Sequence, residues 1–282
     1  MIVNRLSPVL GAEIVGVDLR EPLGAAALQR VHDAWVEHQV IVFRDQDLTQ
    51  EQQIAACRQF GTIEPHPLKT NTNQHPEITV SSNVVKEGSP LGYIGPPFAL
   101  WHSDLCYLPE PAKMTFLYAH SVPKTNGGTW FANMYAAYDQ LPGDLRAKVE
   151  GRRAVTSLNY NLVARCKSKG FDLPLAEEDV KPDSLHPVVR THPYSGKKAL
   201  FVNWAHTDAI EGYPAEESQA LLDRLLAHST EDRFIYRHLY RRGDLITWDN
   251  ASTIHTHQPD PVDGDRIMIR VVIRGTKPFY SA

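Results

Sequence analysis

The chain has 282 residues, 42% of them hydrophobic and 22% charged, with a formal net charge of −4. That is the balance of a globular protein with ample length for a core, and it gives no general attraction to nucleic acid or anionic membranes. No apolar stretch approaches a membrane span and the first residues lack a signal-peptide pattern. Three scattered cysteines, Cys57, Cys106 and Cys166, form neither a disulfide framework nor a zinc-type CxxC pair, so a reducing cytoplasm is the expected compartment.

Taken in order, 12–17 alternates as a strand, and 25–38 reads as a helix with Leu28, Val31 and Trp35 on one face. Val40-Ile41-Val42-Phe43 is a short buried strand. Thr49-Gln50-Glu51-Gln52 opens a capped helix that runs to Phe60, with Gly61 as its stop. A strand over 78–84 precedes a segment over 86–100, rich in Gly and Pro, which reads either as an active-site lid or as an ordinary long loop. Strands are predicted at 101–105, 114–120 and 129–133, and a short helix at 143–150. A hairpin covers 187–203, and a helix over 214–228 turns Leu221, Leu222, Leu225 and Leu226 inward. Strands at 234–241, 245–248 and 266–274 close the chain. Cys106, two residues after Asp104, reads as a small buried hydrophobe. With no repeat, low-complexity segment or linker, residues 1–282 are expected to form one domain, mainly β with flanking helices.

Trp101-His102-Ser103-Asp104 carries the sharpest chemical signal. On a strand, residues i and i+2 share a face, so His102 and Asp104 can turn toward one point. His255, far downstream, would complete a 2-His-1-carboxylate facial triad, the ligand set of non-haem Fe(II) oxygen chemistry. Alone, His-x-Asp equally describes a solvated loop or a local ion pair, and His257 shares a face with His255. The long gap between His102 and His255 fits a double-stranded β-helix, or jelly roll, in which distant strands become neighbours.

Several segments together resemble the taurine dioxygenase/2,4-dichlorophenoxyacetate dioxygenase family of Fe(II)- and 2-oxoglutarate-dependent oxygenases. They are residues 10–19, the run from Val40 with its following helix, Trp101–Asp104, Gly127-Gly128-Thr129, Met134–Asp139, His186–Pro193, Trp248–His255, Arg266–Arg270 and Lys277–Tyr280. The resemblance implies His102, Asp104 and His255 as iron ligands, the Trp-Asp-Asn spacing favouring His255 over His257. It implies Arg266 and Thr129 as the holders of the distal carboxylate of 2-oxoglutarate, although the acidic residue usual before that threonine is absent. It implies Arg270 as a contact for the acidic group of the substrate. Guanidinium pairs well with carboxylate. Arg266 and Arg270, sharing a face of a predicted strand, would be costly to bury without anions; the alternative is a pair of surface salt bridges.

The reaction so implied consumes O2 and 2-oxoglutarate, releases succinate and CO2, and hydroxylates a C–H of a small anionic substrate. His66 matches a substrate-side histidine of the taurine enzyme, while Lys69 and His206 stand where that enzyme has tyrosine and phenylalanine. With Arg270 these would give a donor-rich pocket for an acidic substrate other than taurine, with two anionic groups or an amino acid-like body. Alternatively, Lys69 points to solvent and His206 packs on the wall. Val80-Ser81-Ser82-Asn83-Val84 also resembles a branch that oxidises N-substituted amino acids, which competes with a sulfonate or phenoxyacid substrate. The rival classes are a zinc hydrolase on the same ligands and a non-catalytic jelly-roll binding protein. Relatives are often dimers or tetramers, so self-association is expected by analogy only.

Overall fold

The computed structural model of the chain describes residues 1–65, 75–93, 95–173, 175 and 177–282, with the backbone alone for residue 160. Strands β1 (Ile2–Arg5) and β2 (Ala12–Val15) lead to α1 (Ala25–His38), β3 (Val40–Phe43), α2 (Gln50–Arg58) and β4 (Thr79–Ser82). A small hairpin of β5 (Val85–Lys86) and β6 (Ser89–Pro90) follows. The middle of the chain carries β7 (Ala112–Ser121), β8 (Thr129–Asn133), α3 (Met134–Asp139), α4 (Gly143–Val149), β9 (Arg153–Thr156) and α5 (Tyr160–Ser168). The last part holds β10 (Ser184–Pro187), β11 (Val189–Thr191), β12 (Lys198–Leu200), β13 (Thr207–Ile210) and α6 (Ala215–Ser229), then β14 (Ile235–His238), β15 (Leu245–Asp249), β16 (Thr253–His257) and β17 (Ile267–Arg274). The molecule is mainly sheet, with helices outside it.

The largest sheet has seven strands in the order β1-β2-β3-β15-β7-β17-β4. Its pairs are antiparallel except β2 with β3, which α1 connects. Side-chain alternation divides it into two faces. Ile41, Phe43, Met114, Phe116, Leu245, Ile269, Val271 and Ile273 pack with Val31 and Trp35 of α1 and Ile54 of α2. Their neighbours Val40, Val42, Leu117, Ile246, Trp248 and Met268 point the other way and meet Phe131 of β8. Phe131 belongs to a second sheet, β14-β8-β16. Behind that sheet Ala132 and Ile254 join a core covered by α3, α4 and α6. The space between the two sheets therefore collects every residue that shares parity with Leu117, Met268 and Phe131. Thr115, Thr129, His255 and Arg270 all do.

Local chemistry fixes the helices. The hydroxyl of Thr49 accepts from Gln52 N at 3.2 Å, and the Gln52 side chain accepts from Thr49 N at 2.9 Å, the reciprocal capping box expected for α2. In α6, Leu221, Leu222 and Leu225 are buried as expected, while Leu226 is only half-buried. Two helices were not anticipated. At six residues, α3 is too short to show a period, and its N-cap, Asn133 accepting from Ala136 N at 3.1 Å, sits inside an apolar run. For α5 the signal is the Asn159 cap on Asn161 N, with Leu162 and Cys166 one turn apart.

The predicted strand over 101–105 is the main difference. Only His102 makes a bridge there, to His255, and the chain turns immediately after Asp104, with Leu105 at φ 52°. Side-chain hydrogen bonds at Ser103 and Asp104 outcompete strand pairing at this point.

Candidate active site

The bridge between 102 and 255 is reciprocal: His102 N donates to His255 O at 3.0 Å, and His255 N to His102 O at 2.8 Å. It sets the two imidazoles side by side, ring centroids 4.2 Å apart. His102 Nδ1 donates to Leu100 O at 2.7 Å, which leaves Nε2 bare and aimed inward. That atom lies 3.8 Å from Asp104 Oδ1, and His255 Nε2 lies 3.7 Å from Asp104 Oδ2. The three ligand atoms fall within 4.8 Å of one another. The convergence expected from i and i+2 is met by a bridge and a turn rather than by a strand.

Asn250 builds the turn. Its side-chain oxygen accepts from Asp104 N at 3.0 Å, its backbone oxygen accepts from Ser103 Oγ at 2.8 Å, and its amide nitrogen donates to Thr115 Oγ1 at 2.9 Å. Thr115 in turn donates to Asp104 Oδ2 at 2.6 Å, and Arg270 Nη1 donates to Asp104 Oδ1 at 3.1 Å. Burial works against the Asp104 charge, but His255, Arg270, His102 and the Thr115 hydroxyl together hold it well below the usual carboxylate range. Burial, with His102 alongside, pushes His255 down to about 3. The ring is therefore neutral at physiological pH, the form that ligates metal.

Arg266 stands just before β17. Its Nε donates to Gly127 O at 2.9 Å, and burial lowers its pKa. Among the described residues no carboxylate lies within ion-pair distance of it. Both glycines before Thr129 are closely approached, Gly127 first by Pro123 Cγ at 2.7 Å from where a Cβ would sit. A Cβ on Gly127 would sit 3.3 Å from Arg266 Cδ at a φ of +75°, and one on Gly128 would lie 2.4 Å from His238 O. Thr129 follows, buried, with its hydroxyl 2.8 Å from Tyr240 Oη.

The triad, Thr129, Arg266, Arg270 and His206 all line one cavity of about 780 Å³. Its walls are apolar, with Leu105, Leu117, Leu158, Leu162, Leu173 and Leu175 among the lining residues. Such a space suits a small molecule held by a few polar contacts. The residues fit a metal with an anionic cosubstrate: two imidazole nitrogens and a carboxylate converge, and a half-buried guanidinium with no carboxylate partner among the described residues shares their cavity.

A profile of the taurine catabolism dioxygenase TauD, TfdA family matches residues 3–272. The chain belongs to this family. It is accordingly an oxidoreductase, and its TauD/TfdA relatives cover it almost end to end. The alpha-ketoglutarate-dependent 2,4-dichlorophenoxyacetate dioxygenase of Cupriavidus pinatubonensis is 38% identical over 265 residues, 90% of this chain and 91% of that protein. The (S)-phenoxypropionate/alpha-ketoglutarate-dioxygenase of Sphingobium herbicidovorans is 35% identical over 285 residues, 98% of this chain and 96% of that one. Among solved structures, AAD-2 in complex with Mn(II) and N-oxalylglycine superposes with a TM-score of 0.83 at 33% identity, covering 98% of this chain and 99% of that one.

Seven of the nine expected site residues of this TauD/TfdA member meet in the cavity; His66 and Lys69 lie outside the described residues. His257 lines the cavity too, but it is not part of the converging ligand set. The expectation of a donor-rich pocket changes at His206. Its Nδ1 donates to Ser157 O at 3.0 Å, and burial, then His102, pushes it down to about 4. At neutral pH it is an uncharged wall residue rather than a cation. Sequence reasoning missed Thr115, Tyr240 and the leucines near α5. The one available signal was Thr115, a lone hydroxyl at an inward position of the predicted 114–120 strand.

Proposed function

We propose that the chain is an Fe(II)- and 2-oxoglutarate-dependent dioxygenase, one domain over residues 1–282, that hydroxylates a C–H of a small anionic substrate and releases succinate and CO2. The carrying observation is Arg266, half-buried without a carboxylate partner among the described residues, in the cavity that also holds His102, Asp104 and His255. A zinc hydrolase on the same ligands has no task for such a cation. The seven-stranded sheet opposite β14-β8-β16, with helices outside both, supports a jelly-roll reading. Cys57, Cys106 and Cys166 are free and buried, which suits the cytoplasm.

Iron with 2-oxoglutarate would supply the oxygen chemistry. In this reading His102, Asp104 and His255 hold the metal in a fixed orientation, Asn250 and Thr115 keep Asp104 aimed, and Arg266 with Thr129 grips the far carboxylate of the cosubstrate. Arg270, which lines the cavity and pairs with Asp104 through Nη1, offers the exposed part of its guanidinium to the acid group of the substrate. The leucine walls exclude water and favour an apolar body over an amino acid-like or doubly charged one. The phenoxyacid names of relatives at 38% and 35% identity point the same way.

The test is O2-dependent succinate release across aryloxyalkanoates, alkylsulfonates, taurine and N-carboxyalkyl amino acids, each against a no-substrate control. Aryloxyalkanoates should lead. Succinate at the control level for every acid, or hydrolysis supported by Zn(II) without O2, would overturn the assignment.

A further inference from the structure

We propose that Tyr240 is a positioning residue for the far carboxylate of 2-oxoglutarate, acting through Thr129; this rests on the cosubstrate site described above. Tyr240 lies two residues beyond the end of β14, whose last residue, His238, is the register partner of Thr129. The chain returns the phenol to that threonine at 2.8 Å. The Tyr240 ring is braced edge-on by His238, centroids 4.8 Å apart. His238 is itself held by Tyr236 Oη at 2.9 Å and lies 3.5 Å from Asp244 Oδ2. Asp244 also takes the Arg44 guanidinium. The phenol thus ends a chain of fixed groups rather than swinging free.

Two hydroxyls in contact use one hydrogen between them and leave one to donate elsewhere. A lone threonine hydroxyl rotates among staggered positions and can spend its hydrogen on backbone oxygen. When the phenol donates to Thr129 Oγ1, the threonine hydrogen is directed away from Tyr240. Thr129 opens to the cavity that Arg266 lines, and Gly127, two residues before it, accepts from Arg266 Nε at 2.9 Å. Burial pushes the Tyr240 phenol up to about 12, with Arg266 pulling the other way, so it remains a donor at physiological pH. The pair therefore presents an oriented O–H beside a guanidinium, the arrangement that a carboxylate with two oxygens needs.

The experiment uses the Mn(II)-loaded full chain and Tyr240→Phe, with binding followed by calorimetry so that no turnover is needed. The probes are 2-oxoglutarate and oxalate, which chelates metal but has no far carboxylate. The expected result is a rise of about tenfold in the 2-oxoglutarate dissociation constant, the effect of one misdirected hydrogen bond to a charge, with oxalate affinity unchanged. Thr129→Val should weaken 2-oxoglutarate binding, and adding Tyr240→Phe to it should weaken it no further. Unchanged 2-oxoglutarate binding in Tyr240→Phe overturns the role. So does a parallel loss of oxalate binding, which would mark a general structural defect, and so does additivity in the double variant. Wild-type protein that binds oxalate but not 2-oxoglutarate would instead bring down the cosubstrate assignment, and this inference with it.

Discussion

The hydroxyl of Thr115 donates to Asp104 Oδ2 at 2.6 Å while accepting from the Asn250 amide at 2.9 Å. One side chain thereby joins a strand of the large sheet, the turn after β15, and a carboxylate that neither element carries. Thr115→Val keeps the volume and removes both bonds. Metal affinity should fall about 10- to 100-fold, as for other outer partners of ligands, and a titration with Mn(II) or Fe(II) measures it. Wild-type affinity would show that Asn250 and Arg270 suffice to aim Asp104.

Arg266 is half-buried with no counter-charge among the described residues. Arg266→Met should therefore separate function from stability. We expect cosubstrate binding to weaken at least 100-fold, roughly the loss of a paired charge–charge contact, while the ligand-free protein gains about 1 kcal/mol against urea. A variant that is both inactive and less stable would mean that the guanidinium is already satisfied within the fold.

Gly128 faces the carbonyl of His238 so closely that a methyl group would meet it at 2.4 Å. The obstacle is backbone, so Gly128→Ala must push β14 away from β8. A loss of about 1–3 kcal/mol is expected, seen as a lower Tm, together with weaker cosubstrate binding because Thr129 and Tyr240 sit on the two displaced segments. An unaltered melting curve would refute the close approach.

Burial holds His206 near 4, His255 near 3 and His257 near 4, against 6.5 for a free imidazole. Between about pH 4 and 6.5 the unfolded chain binds protons that the metal-free fold does not. Stability is therefore complete above 6.5 and declines as pH falls through that window, by about 1.4 kcal/mol per pH unit for each proton. His206→Asn can keep an N–H on the Ser157 carbonyl and removes one titrating ring. Denaturant melts from pH 7 to 4.5 should show a slope shallower by about one proton; an identical slope would mean that His206 does not carry its share.

The main strands and α2 were legible because their signals are local: alternation in Val40–Phe43 and a capping box at Thr49; the converging set His102, Asp104 and His255 was implied by the family resemblance, since His-x-Asp alone did not decide it. The route by which the ligands converge was not legible. A strand over 101–105 satisfies the same i, i+2 rule, and only the long-range bonds from Asn250, 146 residues away from Asp104, convert it to a bridge and a turn. Tyr240 escaped for a similar reason, since its partner Thr129 is 111 residues distant and no spacing rule links them. For His206 the two alternatives, donor to an acid or wall residue, could not be separated from the sequence, because the carbonyl that takes its Nδ1 hydrogen belongs to Ser157, on a segment whose position the sequence does not reveal.

Four leucines of the cavity stand apart from its polar residues in one respect. Leu158, Leu162, Leu173 and Leu175 come from α5 and its flanks, whereas the triad and the arginines are fixed by the sheets and by the turn that Asn250 clamps. Under the proposed function, exchanging Leu162 on α5 alters the shape of the cavity without touching His102, Asp104, His255, Thr129 or Arg266. Diversification of such a protein toward new compounds needs no rebuilding of its reactive centre: selectivity is stored on a replaceable panel, and reactivity on the frame.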